Sequence, residues 1–363
     1  MSSTEGTPDR SGYTRLSIVM PVYNPPVRRL RQALASIIQQ QSDRWELIAV
    51  DDGSTDPQVA HALNAAKVEF PDRVSILKQE NAGPGAARNI GTQSASGDYV
   101  MYMDSDDELP PYTVGHALEQ VQRTGAQLLL GMLKTIRNPD EQLPSLQNPA
   151  RMLAKMEADE LARGNLSGEV LASETSAGRV ILKNGPVARV ISADVARRIE
   201  FPEDVSVSED TLWNIRLFSA AETVALTESI YYWYHVSHES TSRGYSPTSA
   251  REVESMLRVM KEDLANSRVS YRQADVTKRV LGEVTRTVRR YYAHPECPLP
   301  MRQRLSEIGK LLSDREGRTA VGGSSVLLAG ARSTVKYVLL RTGIAIVLLR
   351  VQRAVRPQSV RYS

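Results

Sequence analysis

The sequence predicts an α/β fold, with a mostly parallel central sheet flanked by helices and followed by a helical C-terminal region. Three observations predict it. Short apolar runs alternate with helix-like segments from residue 16 to residue 103, the pattern of a doubly wound sheet. The runs end in polar loops, Tyr23-Asn24, Asp51-Asp52 and Asp104-Ser105-Asp106, which such a sheet gathers beyond the carboxyl ends of its strands. Residues 249–315 then read as helices with charged faces.

Each element has its own reason. Residues 1–14 are rich in Ser, Thr, Gly and Pro and read as a disordered leader. Leu16 to Met20 is a first buried strand, stopped at Pro21. A helix over 30–40 follows, apolar at 30, 33, 34, 37 and 38. Trp45 to Val50 is a second strand and runs into Asp51-Asp52-Gly53-Ser54-Thr55-Asp56, a turn rich in capping residues before a helix over 57–69. Val74 to Leu77 is a third strand. The Gly-rich turn Asn81 to Gly91 enters another helix, and a strand at 99–103 ends in four carboxylates within five residues, Asp104 to Glu108.

Further on, the pattern predicts a helix over 113–124, a strand over 127–133, a polar connection over 137–149 and a helix over 150–163. Val187 to Ile191 is a short strand, and Ser192 caps a helix to Ile199. Glu209-Asp210 opens an amphipathic helix, where acidic residues suit the dipole. Val224 to Tyr234 is apolar and aromatic, and leads into His235, His238, Ser240 and Ser242.

The chain has 363 residues, 41% hydrophobic and 24% charged, enough for two domains or one large domain with an extension. Its single cysteine, Cys297, excludes an intrachain disulfide and a four-cysteine zinc site, which fits a cytoplasmic setting. Met1 to Arg15 has no apolar core of a signal peptide, and no apolar run reaches the roughly 18–20 residues of a membrane-spanning helix. The formal charge is only +3, but no acid follows Glu316, whereas eight Lys or Arg do. Treated as one helix, 326–355 places Arg332, Lys336, Arg350 and Arg353 within about 100° of arc. That predicts a basic amphipathic tail over 320–363 for an anionic membrane surface; the competing reading is a helix packed on the protein's own core.

Closely spaced carboxylates repel one another unless solvent or a cation relieves them. In isolation the bland readings come first: Asp104-Ser105-Asp106 as a solvated acidic turn, Tyr23 as a loop aromatic, Asp52 as a helix cap and Glu209-Asp210 as a dipole-matched helix start, with a surface arginine as the plain reading of Arg88.

Four motifs in order lift that ambiguity: Ser17-Ile18-Val19-Met20-Pro21-Val22-Tyr23-Asn24, Asp51-Asp52-Gly53-Ser54-Thr55-Asp56, Asn81 to Gly91, and Asp104-Ser105-Asp106-Asp107. In this the chain resembles the family 2 glycosyltransferases, which use nucleotide-sugar donors on a Rossmann-like GT-A fold. The resemblance is close over 16–112 and looser over 185–242. It implies a GT-A domain at 15–245, with a nucleotide-sugar half at 15–112 and an acceptor half at 113–245, before a helical region at 246–319. It implies donor contacts from Pro21, Tyr23, Asn24, Asp52, Asn81, Arg88, Asp104 and Ser105, with Asp52 rather than Asp51 at the base. Asp106, with Asp104, would hold Mn²⁺ or Mg²⁺, and Asp107 would be structural. Asp210 would be the catalytic base, with Glu209 assisting the acceptor.

Arg189 stands where the family has Lys, and His235 where it usually has Arg; the resemblance implies diphosphate or acceptor contacts from Arg189, His235, His238, Ser240 and Ser242, but histidine titrates near neutrality, so a fixed positive charge would come from His238 or Arg243 instead of His235. The Gln-x-x-Arg-Trp motif of processive synthases is absent, which points to transfer of a single hexose-type sugar. The expected function is an inverting, metal-dependent transfer, with a UDP-sugar as the expected donor and a glycan, lipid-linked or cell-surface polysaccharide hydroxyl as acceptor. No nucleic-acid partner is expected. Two other classes remain: a nucleotidyltransferase acting on sugar phosphates, which normally carries a basic Gly-rich loop where Pro21-Val22-Tyr23-Asn24 stands here, and a non-catalytic nucleotide-sugar-binding protein.

Overall fold

The computed structural model describes residues 14–138, 143–169, 171–176, 178–182, 184–236, 245–312, 327 and 329–346. The first half is strand–helix alternation: β1 (Leu16–Val22), α1 (Val27–Ile38), β2 (Trp45–Asp51), α2 (Pro57–Glu69), β3 (Val74–Lys78), α3 (Pro84–Ser94) and β4 (Tyr99–Tyr102). These four strands are parallel, with Val22 opposite Asp51 and Val19 opposite Tyr102. The carboxyl ends of β1, β2 and β4 therefore share one edge. Alternate residues feed opposite faces. Ile18, Met20 and Leu47 pack under α1, α2 and α4 (Thr113–Thr124), whereas Val19, Ile48 and Val50 pack with Ala87 and the aromatic residues Tyr102, Phe201 and Trp213.

The second half adds β5 (Leu128–Ile136), β6 (Arg151–Met152), α5 (Lys155–Ser167), β7 (Leu171–Thr175), β8 (Gly178–Leu182), β9 (Arg189–Ser192), α6 (Ala193–Arg198), α7 (Glu209–Ala220) and β10 (Val224–His235). The full sheet has ten strands, ordered β3-β2-β1-β4-β9-β5-β10-β6, with the β7–β8 hairpin joined through β8 to β5. β9 runs antiparallel between β4 and β5, and β10 parallel to β5. This insertion carries Arg189, at the start of β9, into the middle of the sheet.

Among the described residues the later helices include α8 (Ser249–Ala265), α9 (Gln273–Thr287), which continues as a π-helical turn over Val288–Tyr292, α10 (Met301–Leu312) and α11 (Ala331–Arg341). They do not form a separate body. Val253, Met256, Val280 and Val284 share a core with Leu166 of α5 and with Leu212 and Ile215 of α7.

Local expectations are corrected at four places. The helix expected from 150 begins at Lys155, because Arg151 pairs with Leu226 of β10 and the Glu157 carboxylate accepts the Ala154 N–H at 2.9 Å. Ser192 precedes α6 but its side chain makes no capping bond. The 171–182 hairpin has no counterpart in the sequence reading. The single tail helix is broken: α11 ends at Arg341 and Gly343 takes φ +75°, a left-handed conformation suited to glycine. Leu340 and Ile346 join the helical core, while Arg332, Val335, Lys336, Val338, Arg341 and Ile344 face outward. Arg350 and Arg353 lie outside the described residues, as do residues 1–13 of the leader.

Candidate active site

The site grows from the polar loops beyond β1, β2 and β4. Asn24, at φ +43°, ties two of them together: its Oδ1 accepts the N–H groups of Thr55 and Asp56 at 2.9 and 3.3 Å, and its own N–H donates to Ser54 Oγ at 3.1 Å. Tyr23 beside it is 54% exposed and presents a free aromatic face. Pro21, expected among the donor contacts, is buried in β1 opposite Val50, so it shapes the strand instead of lining the surface.

Asp52 is buried. Its Oδ1 accepts from Gln79 Nε2 at 2.6 Å and Ala82 N at 2.8 Å, and its Oδ2 from Gly83 N at 3.0 Å. The carboxylate thus folds the turn that starts α3, and it leaves Asn81 on the surface. The cap of α2 is Asp56, which accepts from Gln58 N at 2.9 Å; the helix-cap reading of Asp52 is excluded.

Four carboxylates crowd the turn after β4, and each meets a different surrounding. Asp104 Oδ1 pairs with Arg88 Nη2 at 2.8 Å, and the Asp104 N–H donates to Tyr232 Oη at 2.9 Å. Arg88 is buried in α3, with its guanidinium carbon 5.3 Å from the centre of the Phe201 ring. Ser105 is buried. Burial raises the Asp106 carboxyl above its usual range, and the Asp104 charge adds to the shift. Asp107 is driven well above that range by burial and then by Asp104 and Asp106; it accepts from His235 N at 2.8 Å and from the Tyr232 hydroxyl. Glu108 Oε1 lies 2.8 Å from His235 Nε2. The His235 ring is thereby buried against Glu108, so it is not presented as a free cation for a diphosphate.

The second acidic pair starts α7. Ser208, before it, sits in the left-handed region at φ +57°. Glu209 is raised by burial and then by Asp210; Arg88 lowers it and Asp104 raises it, so the two acidic groups share one field. Gly85 permits this approach, since a Cβ there would lie 3.1 Å from Phe201 Cβ and 3.9 Å from Glu209 Cγ. Asn89, one residue past Arg88, holds the Phe201 backbone at both its N–H and its carbonyl. Phe201 stacks on Trp213 at 4.7 Å, with Tyr102 edge-on to both rings.

Arg189 is fully enclosed beside these rings, 6.0 Å from the Trp213 ring centre. Burial pulls its pKa down to about 9 and the Asp210 charge opposes the shift. Arg189 is therefore enclosed by protein and does not line the surface of the site, a correction to its place among direct diphosphate or acceptor contacts. His238, Ser240, Ser242 and Arg243 lie outside the described residues.

Among the described residues no three His, Cys, Asp or Glu side chains come together as a metal cage. Asp104 and Asp106 offer two like-charged carboxylates, with Asp106 partly desolvated. Two such carboxylates would suit Mn²⁺ or Mg²⁺, a hard cation commonly bound through one or two protein carboxylates. Tyr232 and Asn89 are missed as functional residues by the sequence reading. Tyr232 sits in an aromatic run without a motif, and Asn89 lies inside the Asn81–Gly91 motif, where only its spacing from Arg88 marks it.

Residues 17–173 match the family model described as glycosyl transferase family 2. An uncharacterized glycosyltransferase of Haemophilus influenzae is 43% identical over 93 residues, covering 25% of this chain and 36% of that protein. The succinoglycan biosynthesis protein ExoW of Rhizobium meliloti is 34% identical over 114 residues, covering 31% and 35%. These matches span about a third of each relative's length. The crystal structure of S. aureus TarS 1–349 in complex with UDP-GlcNAc superposes with a TM-score of 0.63 at 17% identity, covering 96% of this chain and 94% of that one, a likeness of fold. Residues 17–173 are therefore a glycosyl transferase family 2 domain, on a GT-A-like α/β fold that continues into the C-terminal helices.

Proposed function

We propose that this chain is an inverting, metal-dependent glycosyltransferase that moves one sugar from a UDP-sugar to an acceptor hydroxyl. The observation that carries the reading is the convergence of Arg88–Asp104, Asp106 and Glu209–Asp210 at the carboxyl edge of the sheet. The donor nucleotide is supported by the UDP-GlcNAc complex of TarS, and a glycan acceptor by the succinoglycan role in ExoW's name.

The Tyr23 ring offers a stacking face to the base, and the turn folded by Asp52 sets Asn81 beside it. Arg88 holds Asp104 toward the ribose and keeps a guanidinium at the diphosphate. Asp106 with Asp104 would hold Mn²⁺ or Mg²⁺, which would supply Lewis-acid charge at the diphosphate. Asp210 takes the acceptor proton as that oxygen attacks the anomeric carbon from the face opposite the diphosphate. The bond from that carbon to the diphosphate oxygen breaks, and its electron pair leaves on the nucleotide.

The test is UDP release from a panel including UDP-GlcNAc, UDP-glucose and UDP-galactose. Activity should disappear with EDTA and with D106A, whereas D210N should bind donor without turnover. Full activity in EDTA removes the metal role, and normal turnover by D210N removes the base. Failure of every UDP-sugar to bind rejects the donor class.

We further propose that the outward face of α11 rests on an anionic membrane at its cytoplasmic side. Among the described residues no helix is long and apolar enough to cross one. Arg332, Lys336 and Arg341 flank exposed Val335, Val338 and Ile344, and each cation contributes about 1 kcal/mol near such a surface. The chain should float with vesicles containing phosphatidylserine and R332E/K336E should not; equal flotation of both rejects the attachment.

A further inference from the structure

A buried ion cluster on α9 lies directly behind the turn that starts α7. Glu283, 1% exposed, lies 3.2 Å from Arg279 Nε through one carboxylate oxygen and 3.2 Å from Arg286 Nη1 through the other. The first oxygen also accepts from Ser208 Oγ at 3.0 Å, and Arg286 Nη1 donates to the same Oγ at 3.1 Å. Arg279 Nη2 donates to Thr211 Oγ1, which lies 3.4 Å from Asp210 Oδ1. Glu283 thus grips both sides of Glu209–Asp210, through Ser208 before it and through Arg279 and Thr211 after it.

Ser208 is the residue that needs holding. It has φ +57° and ψ +29°, a conformation that residues with a side chain seldom adopt. Its hydroxyl does not cap its own helix but leaves toward α9, while its carbonyl accepts from Thr211 N at 3.0 Å and starts α7. A buried ion pair is in itself poor evidence of stabilisation. Here its bonds go to the backbone bend that aims the two acids.

We infer that Glu283 is a positioning residue that sets the Glu209–Asp210 turn through Ser208 and Thr211, so that the helical region after 246 completes the catalytic site of the GT-A domain. The inference rests on Asp210 as the base.

The test uses the full chain with Mn²⁺ and UDP-GlcNAc as probe, reading hydrolysis to UDP together with UDP affinity by calorimetry. S208A removes one hydroxyl and leaves the ion cluster in place. E283Q keeps the shape and removes the charge. Both should bind UDP within about twofold of wild type and lose kcat roughly tenfold or more, the scale of a misplaced catalytic group. S208A/E283Q should be no slower than the slower single variant, because residues acting through one network are non-additive. Wild-type kcat in folded S208A and E283Q, beside an inactive D210N, overturns this inference alone, and so do losses that multiply in the double variant. If E283Q does not fold, S208A decides by the same criterion. Wild-type turnover by D210N overturns the base and this inference with it.

Discussion

Replacing Asn89 by alanine tests how the donor-side helix is joined to the acid-bearing half. Asn89 Oδ1 accepts the Phe201 N–H at 2.8 Å, and its Nδ2 donates to the Phe201 carbonyl at 2.9 Å. Phe201 is 1% exposed, so water does not readily replace the amide. Each bond between neutral groups contributes about 1 kcal/mol net, and a buried group left unpaired costs about 1–3 kcal/mol. Two such bonds put the loss in N89A at about 2–6 kcal/mol. Urea unfolding followed by tryptophan fluorescence reads it, because the Trp213 ring stacks on Phe201 with the planes 3° apart. N89D keeps an acceptor for the N–H but turns a carboxylate toward the Phe201 carbonyl and toward Glu203, whose Oε1 accepts from Asn89 Nδ2 at 3.2 Å. It should lose at least as much as N89A. An N89A stability within about 0.5 kcal/mol of wild type, the range of an inert surface change, refutes the clamp.

Three further outcomes are expected. G131A places a Cβ 2.2 Å from Tyr231 Cδ2 in the core; it should cost roughly 1–3 kcal/mol by overpacking, and G131A/Y231L should lose less than the two single changes summed, which thermal melts of the four proteins would read. Burial alone would raise the Glu46 carboxyl, but hydrogen bonds from Ser17 and Ser96 outweigh it and hold the pKa below 4.5. A depressed carboxylate stabilises the fold above its unfolded pKa and loses that contribution as pH falls through the folded value, so wild type should weaken more steeply than E46Q from pH 4.5 downward; parallel acid limbs in urea titrations would count against it. Arg304 is buried and donates to the carbonyls of Leu299, Tyr292 and Cys297, each at 2.6 Å; R304A should destabilise by roughly 3–5 kcal/mol, three charge-assisted bonds at the low end of their range, and expose 293–300 to proteolysis, whereas an unchanged digest would show the bonds to be dispensable.

The α/β class was legible because buried parallel strands are apolar on both faces, so β1 to β4 read as runs whatever they pack against. Helix α2 was legible from the capping-rich turn before it, and both α2 and α4 fall on the expected residues. The expected helix over 150–163 failed at its start because a two-residue strand pairs with β10, a partner some seventy residues away that no local pattern marks. The tail helix failed at Gly343 for a related reason: a wheel assumes one continuous helix, and a single left-handed residue ends it.

Within the candidate site, residue type and spacing pointed to the carboxylates and to Arg88 but not to their surroundings. Asp104, Asp106 and Asp107 are identical in sequence and differ only in what lies against them. One pairs with Arg88, one is half desolvated, and one is buried under Tyr232 and His235. Arg189 and Asp52 showed the converse, since side chains suited to a ligand are already occupied or enclosed by the protein.

By itself, then, the sequence determined the strand–helix alternation and which polar loops share an edge, because these follow from local periodicity and from the handedness of parallel connections, and its four motifs carried the family resemblance. Only the tertiary structure decided which carboxylates are satisfied, that Arg189 is fully enclosed beside Trp213, and that α9 reaches back to Ser208. Burial and pairing are set by residues distant in the chain, and a carboxylate's chemistry is set by those neighbours rather than by its own identity.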